Sequence, residues 1–81
     1  MLHTSTSVKK ALKPLWKLGR NVARLRTGLG FSQERLAEKA DVHSRYLQKL
    51  EAGTAHPSLM VLCRLKTSLG CEWNDLLREV A

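Results

Sequence analysis

Apolar residues recur at intervals of three and four along most of this 81-residue chain, and no stretch alternates between apolar and polar residues. Intervals of three and four place side chains on one face of an α-helix, whereas alternation is typical of a half-buried strand. The first such series is Leu15, Leu18, Val22, Leu25 and Leu29. The pattern therefore predicts an all-α fold built from short amphipathic helices.

Capping residues divide this apolar pattern into five predicted helices. Pro14 suits the first turn of helix one, and Ser32 suits the N-cap of helix two. Helix four lies between Ser58 as N-cap and Gly70 as C-cap, with Leu59, Leu62, Leu65 and Leu69 expected to face inward. The other four helices are expected at 14–28, 33–39, 44–51 and 73–79.

Positive charge is concentrated at the start of the chain. Residues 1–30 contain seven Lys and Arg residues and no acidic residue, whereas residues 31–81 contain seven of each kind. The net charge of +7 therefore comes from the first third of the sequence, and such a segment is typical of proteins that bind a polyanion. We divide the chain into a flexible basic arm at 1–13 and a folded domain at 14–81.

The sequence leaves three roles open for the basic arm. Its lysines, with Lys17 beyond it, could neutralise DNA phosphates, lie on an anionic membrane surface or keep the protein soluble. A transit peptide has a similar composition, but the apolar series from Leu15 onward favours a folded helix. The lysines concerned are Lys9, Lys10, Lys13 and Lys17.

Other functional classes are disfavoured. No apolar run approaches the roughly 18–20 residues that cross a bilayer, and no nucleophile–base pair, paired carboxylates or glycine-rich phosphate loop indicates an enzyme. Cys63 and Cys71 lie at apolar positions without a zinc-ligand spacing to any histidine, and two buried thiols suit a reducing cytoplasm. We expect no catalytic residue, no metal and no cofactor.

Helices two and three, joined at Asp41 and Val42, fit the helix-turn-helix pattern. Leu47 and Leu50 form the inner face of the third helix, which leaves its outer face free to enter the major groove of DNA. Among the outward residues Arg45 is the strongest candidate for a base contact, because arginine can hydrogen-bond to guanine at two points. The outward residues are Ser44, Arg45, Gln48 and Lys49.

An ordered set of motifs resembles the Cro/C1-type (Xre-family) helix-turn-helix regulators. The motifs are Leu25-Arg26, Phe31-Ser32-Gln33-Glu34-Arg35-Leu36-Ala37, Tyr46-Leu47-Gln48-Lys49-Leu50-Glu51-Ala52-Gly53, Pro57-Ser58-Leu59 and Trp73-Asn74-Asp75-Leu76-Leu77. The resemblance covers about residues 18–77. It implies a five-helix, lambda-repressor-like DNA-binding domain whose helix-turn-helix is formed by helices two and three.

The resemblance also assigns roles to individual residues. The positions matching the base-contacting ones are Ser44, Arg45 and Lys49. The positions matching contacts to the DNA backbone are Gln33, His43, Thr54 and His56. Arg26 and Glu51 match a partly buried ion pair that ties helix one to the end of the recognition helix. Asp41, Lys66 and Glu72 depart from the family pattern, which usually has a turn glycine, an alanine and a Ser or Thr N-cap there.

The last helix carries more apolar residues than a short terminal helix needs for its own packing. These residues either complete the core of a small domain or form a self-complementary dimer face, and we favour the dimer because a twofold-symmetric operator requires one. The residues of this predicted dimer interface are Trp73, Leu76, Leu77 and Val80.

The favoured function is a sequence-specific transcriptional regulator that binds an inverted-repeat operator in double-stranded DNA as a homodimer, through recognition helix 44–51. The resemblance places it in the cytoplasm and nucleoid of a bacterium or phage host. The alternative is the antitoxin of a toxin–antitoxin pair, which would bind DNA and also neutralise a protein toxin.

Overall fold

The computed structural model describes residues 2–81, with side chains from Lys13 onward. It contains five α-helices, and within the described residues it contains no strand. The helices are α1 (Leu2–Gly28), α2 (Gln33–Ala40), α3 (Ser44–Glu51), α4 (Leu59–Leu69) and α5 (Trp73–Leu76). The predicted all-α, five-helix architecture is confirmed.

Helix α1 is longer than the sequence pattern indicates. It begins at Leu2 and not at residue 14, so Pro14 lies inside the helix and not in its first turn. A proline there lacks the N–H that the helix would use, so one backbone hydrogen bond is not made. The side chains of Lys9 and Lys10 lie outside the described residues, and the division of the chain at residue 13 stays a prediction.

The N-caps predicted for α2 and α4 are present in the structure. The Ser32 hydroxyl accepts the backbone N–H of Arg35 at 3.0 Å, and the Ser58 hydroxyl accepts that of Val61 at 3.2 Å. Helix α4 ends at Gly70, which has the left-handed conformation that glycine adopts without steric cost. These caps satisfy backbone groups that the helix termini would otherwise leave unpaired.

One apolar core joins all five helices. Helix α1 packs on α3 and α5, and α4 packs on α2. Burial of this apolar surface is the main stabilising contribution to such a small domain. The fully buried side chains at its centre are Val22, Leu36, Leu47, Leu50, Leu65 and Leu76.

Two residues expected to face inward, and a second helix boundary, were wrong. Leu59 is 71% exposed, because it lies at the start of α4 with no described element over it, and Leu29 is 50% exposed just beyond the end of α1. Helix α5 ends at Leu76 and not near residue 79. The chain then turns, and Glu79 adopts a positive φ of 59°, which is incompatible with a continuing helix.

A glycine sets the distance between α1 and α3. An ideal Cβ built on Gly19 would collide with the carbonyl oxygen of Leu50 and would lie 2.7 Å from that of Glu51. A side chain larger than hydrogen would therefore push the helices apart. Gly19 brings α1 against the carboxyl end of α3, and the apolar pattern gives no sign of this role.

A buried amide fastens the end of the chain to α1. Asn21 is 2% exposed, and its Nδ2 donates to the carbonyl oxygens of Leu76 and Arg78, each at 2.9 Å. Buried carbonyl groups are costly unless paired, so these two bonds hold the segment after α5 in place. Sequence reasoning missed Asn21, because a single polar residue beside an apolar series gives no signal of its partners.

Candidate nucleic-acid interface

The turn between α2 and α3 is tight and is closed by backbone hydrogen bonds. Asp41 caps α2 in the left-handed conformation, with φ 55° and ψ 48°. Its side chain is compatible with this region, which most residues avoid. The N–H of Val42 donates to the carbonyl of Ala37 at 2.9 Å. Asp41 thus takes the place of the usual turn glycine without loss of the turn.

Helix α3 presents one face to the core and the opposite face to solvent. Leu47 and Leu50 are buried, whereas Arg45 and Lys49 are exposed. Gln48 is exposed as well, and Ser44 is half-buried. The outer face therefore carries two cations and a side-chain amide, groups that can hydrogen-bond to base edges.

Burial of Tyr46 distinguishes it from its exposed neighbours on α3. The ring is half-buried and packs against the core, and this burial raises the pKa of its hydroxyl above the ordinary value. Burial disfavours the charged phenolate, so the hydroxyl remains a hydrogen-bond donor at neutral pH.

His43 is the N-cap of α3. Its Nδ1 accepts the backbone N–H of Arg45 at 3.2 Å. A ring nitrogen that accepts carries no hydrogen, so the neutral imidazole has its N–H at Nε2. That N–H lies on an exposed side chain at the amino end of α3, where it can donate to an anion.

A hydrogen-bonded cluster joins α1, α2 and α3 around the carboxylate of Glu51. Arg26 donates from Nε to Oε2 at 2.7 Å and from Nη2 to Oε1 at 3.0 Å. Gln33 donates from Nε2 to the same Oε1 at 2.9 Å, and Arg26 also donates to the carbonyl of Phe31 at 2.8 Å. The structure thus forms the ion pair that the resemblance implied and adds Gln33 to it, a contact that sequence reasoning missed.

The loop after α3 places its polar residues at the surface. Thr54 donates its hydroxyl to the carbonyl of Lys49 at 3.1 Å, so this proton is already used within the loop. His56 is exposed, and Ala55 between them is buried at the edge of the core. The loop is therefore fastened to the end of α3 by Thr54 and Ala55.

One of the four residues predicted to form the dimer interface is fully buried in the structure. Leu76 is 0% exposed, because it fills the core between α5 and α1. It therefore has no surface to offer a partner, and its assignment to the interface was wrong. Leu77 is 38% exposed, whereas Trp73 and Val80 are half-buried. Lys66 lies with its Nζ 5.7 Å from the centroid of the Trp73 ring, so its cation contacts the face of that ring.

The largest exposed apolar side chains outside α1 are on α4. Leu59 is 71% exposed and its neighbour Met60 is 62% exposed. Two adjacent apolar side chains are therefore available for contact with another surface.

Among the described residues, no group of three His, Cys, Asp or Glu side chains is placed to hold a metal ion. None of the described helices is both long and apolar enough to span a bilayer.

Comparisons with known proteins agree on one family. Residues 22–76 match a family model described as helix-turn-helix. An uncharacterized HTH-type transcriptional regulator of Sinorhizobium fredii, y4dJ, is 33% identical over 60 residues, which are 74% of this chain and 78% of that protein. The uncharacterized HTH-type transcriptional regulator YqaF of Bacillus subtilis is 33% identical over 51 residues, which are 63% of this chain and 67% of that protein.

A solved structure shares the fold. It is the crystal structure of the restriction-modification controller protein C.AhdI from Aeromonas hydrophila, which superposes with a TM-score of 0.74 at 35% sequence identity. The match covers 76% of this chain and 94% of that chain.

Proposed function

The chain belongs to the Cro/C1-type helix-turn-helix family of DNA-binding transcriptional regulators and has its lambda-repressor-like fold, and we propose that it binds an inverted-repeat operator as a homodimer. In this proposal α3 is the recognition helix and enters the major groove, one copy in each half-site. Occupancy of promoter DNA then regulates transcription.

The observation that carries the proposal is the two-sided character of α3. Its inner leucines are fixed in the core, and its outer face exposes Arg45 and Lys49 beside Ser44. A guanidinium can donate to both O6 and N7 of guanine, and an ammonium can reach the same acceptors. We therefore assign base contacts to Ser44, Arg45 and Lys49.

Backbone contacts follow from the amino ends of α2 and α3. The N–H of Gln33 lies in the first turn of α2, where unpaired donors and the helix dipole favour a phosphate. The hydrogen bond to Glu51 fixes the Gln33 side chain and thus the start of this helix. His43, with its N–H at Nε2, contacts a phosphate at the start of α3, and His56 and the backbone around Thr54 contact the strand that passes the loop.

Dimerisation is assigned to the exposed apolar side chains. An inverted repeat requires a twofold-symmetric protein, and a twofold interface uses the same surface on both copies. Leu59 and Met60 offer the most exposed apolar area outside α1, and Leu77 offers more than its half-buried neighbours. We assign the interface to these residues, with Trp73 and Val80 at its edge.

Selection of binding sites from a pool of random duplexes tests the proposal. The intact protein is expected to enrich a palindromic site, and Arg45→Ala is expected to relax selection at one symmetric position by about 1–3 kcal/mol of discrimination. Lys39→Ala is the control, because it removes an exposed cation from α2 and not from the outer face of α3.

Two results would contradict the proposal. One is binding without any enriched sequence, and the other is an enriched site that is the same for Arg45→Ala and the intact protein. Co-purification of a second protein that blocks DNA binding would instead support the antitoxin alternative.

A further inference from the structure

The outer side of α1 carries basic residues that the proposed recognition surface does not use. Lys13, Lys17, Arg20 and Arg24 follow one another at intervals of four, three and four residues, so they lie on one face of the helix. We call these four residues the basic stripe. Residues 2–28, which form α1, include no acidic residue.

The basic stripe lies away from the side of α1 that packs on α3. Gly19 and Arg26 mark that packed side, through the close approach to Leu50 and the ion pair to Glu51. With 3.6 residues per turn, the centre of the stripe lies about 140° around the helix from Gly19 and Arg26. A duplex held against α3 would therefore leave the stripe in contact with solvent.

Little negative charge on the described surface offsets the basic stripe. Lys17 Nζ lies 3.9 Å from Oε2 of Glu79, an exposed carboxylate that also lies 3.7 Å from Nε of Arg78. Among the described side chains, Lys13, Arg20 and Arg24 form no ion pair. The stripe therefore attracts anions from solution.

The surface at the basic stripe is concave and includes an aromatic edge. A shallow cavity is lined there by Lys17, Arg20, Asn21, Ala23, Arg24 and Thr27. The guanidinium carbon of Arg20 lies 5.7 Å from the centroid of Trp16, a ring that is 55% exposed. This contact holds the Arg20 side chain across the helix surface.

The length of the basic stripe suits a nucleic-acid strand. Lys13 and Arg24 are about 16 Å apart along the axis of α1. One strand of double-stranded DNA advances about 3.4 Å per phosphate, so about five phosphates fit along this length. Since phosphate contacts depend on charge and not on base identity, binding here would be independent of sequence.

We propose that the basic stripe binds the phosphate backbone of a second double-stranded DNA segment, so that a protomer holding its operator on α3 also holds a duplex on α1. This inference rests on the proposed function, since it takes α3 as the first DNA-binding surface. The stripe makes the protein a bridge between two duplexes or between two parts of one long duplex.

Energy transfer between two short duplexes tests the bridge. One duplex carries the selected operator and a donor dye, and the other has random sequence and an acceptor dye. The test variant is Arg20→Gln with Arg24→Gln, and the matched control is Lys39→Gln with Arg64→Gln, which removes the same charge from α2 and α4. Anisotropy of the operator duplex alone measures the first surface separately.

The intact protein and the control variant are expected to bring the dyes together. The stripe variant is expected to bind the random duplex at least about tenfold more weakly, with a log–log salt slope lower by about 1.8 for the two lost phosphate contacts. Its operator anisotropy curve is expected to be unchanged.

Equal energy transfer in all three proteins would overturn the bridge and leave the proposed function intact. If the stripe variant loses operator binding together with binding of the random duplex, the bridge is also overturned, because the stripe would then belong to the surface that binds the operator. If vesicles containing anionic lipid bind through Arg20 and Arg24 while the random duplex does not, the surface binds membranes and not DNA. Failure of site selection, with the random duplex still dependent on the stripe, would overturn only the proposed function.

Discussion

The guanidinium of Arg26 holds the carboxylate of Glu51 at two points, 2.7 Å from Nε to Oε2 and 3.0 Å from Nη2 to Oε1. This pair joins α1 to the last residue of the proposed recognition helix, and both side chains are largely buried, with 14% and 7% exposed. Gln33 donates to the same carboxylate. The amino end of α2 and the carboxyl end of α3 are thus fixed by one group, which sets the orientation of the proposed DNA-binding surface.

Removal of one partner of this pair should be costly. In Arg26→Ala the Glu51 carboxylate stays largely buried without its cation, and we expect the free energy of unfolding to fall by about 3 kcal/mol. Urea unfolding monitored by circular dichroism measures the change, with Arg24→Ala as the exposed control on the same helix. A loss equal to that of the control would show that the pair contributes no net stability.

The close approach at Gly19 gives a second prediction. In Gly19→Ala the new methyl group meets the carbonyl oxygens of Leu50 and Glu51, so α1 must move away from α3. We expect destabilisation of about 1–3 kcal/mol and weaker DNA binding. Gly28→Ala is the matched control, because its Cβ enters open space near the end of the same helix, where alanine should stabilise by about 0.5–1 kcal/mol. Equal stability of the two variants would refute the contact.

The contribution of the Asn21 side-chain amide to stability can be tested by substitution with an apolar residue of similar size. Asn21→Leu removes both donated hydrogen bonds and leaves the carbonyls of Leu76 and Arg78 without them. We expect a loss of about 2–3 kcal/mol and faster hydrogen exchange in the segment after α5. Thr27→Leu, at an exposed position of α1, is the control. A stable Asn21→Leu variant with unchanged exchange would show that these bonds are dispensable.

The thiol of Cys71 gives a prediction about pH. Burial and then the negative charge of Asp75 raise the pKa of Cys71 above its ordinary value. Because the raised pKa belongs to the folded state, the contribution of this thiol to stability is complete below its unfolded pKa and is lost as the pH rises through the folded pKa. Asp75→Asn removes the charge and keeps an oxygen that can accept the N–H of Glu72.

Alkylation by iodoacetamide measures this titration, because the thiolate is the reactive form. In a Cys63→Ser background, we expect Asp75→Asn to shift the pH midpoint of Cys71 alkylation downward. Asp41→Asn, which removes a carboxylate from the turn after α2, is the control. An unchanged midpoint in Asp75→Asn would show that Asp75 does not act on the thiol.

The proposed dimer interface can be tested at its exposed leucines. Leu59→Ser and Leu77→Ser should each weaken self-association without a loss of helix content, because both side chains contact solvent in the monomer. Sedimentation equilibrium measures the association, with Leu29→Ser as an exposed leucine elsewhere. If only Leu29→Ser dissociates the protein, the assigned interface is wrong.

The sequence predicts features that depend on neighbouring residues in the chain. Ser32 and Ser58 act as caps because a serine hydroxyl can reach an N–H three residues later, and the apolar series marks the inner faces of α2 and α3. The exposure of Leu59 could not be predicted, since periodicity shows which side chains share a face and not whether another element covers it.

The remaining features depend on residues that are distant in the sequence. Asn21 is paired with carbonyls 55 and 57 positions away. The need for glycine at position 19 arises from the close approach of the α3 backbone. In the candidate interface, the helix-turn-helix pattern locates the exposed face of α3. The bond from Gln33 to Glu51 requires the packing of three helices, which no local pattern contains.

Methylation interference on the selected duplex tests whether α3 contacts base edges, since the methyl group on guanine N7 lies in the major groove. We predict interference at guanines in two symmetric half-sites, with centres about 10 base pairs or a multiple of that distance apart, and its disappearance at one symmetric position in Arg45→Ala. Interference in a single half-site, or a pattern that is the same for Arg45→Ala, would contradict recognition by a symmetric pair of α3 helices.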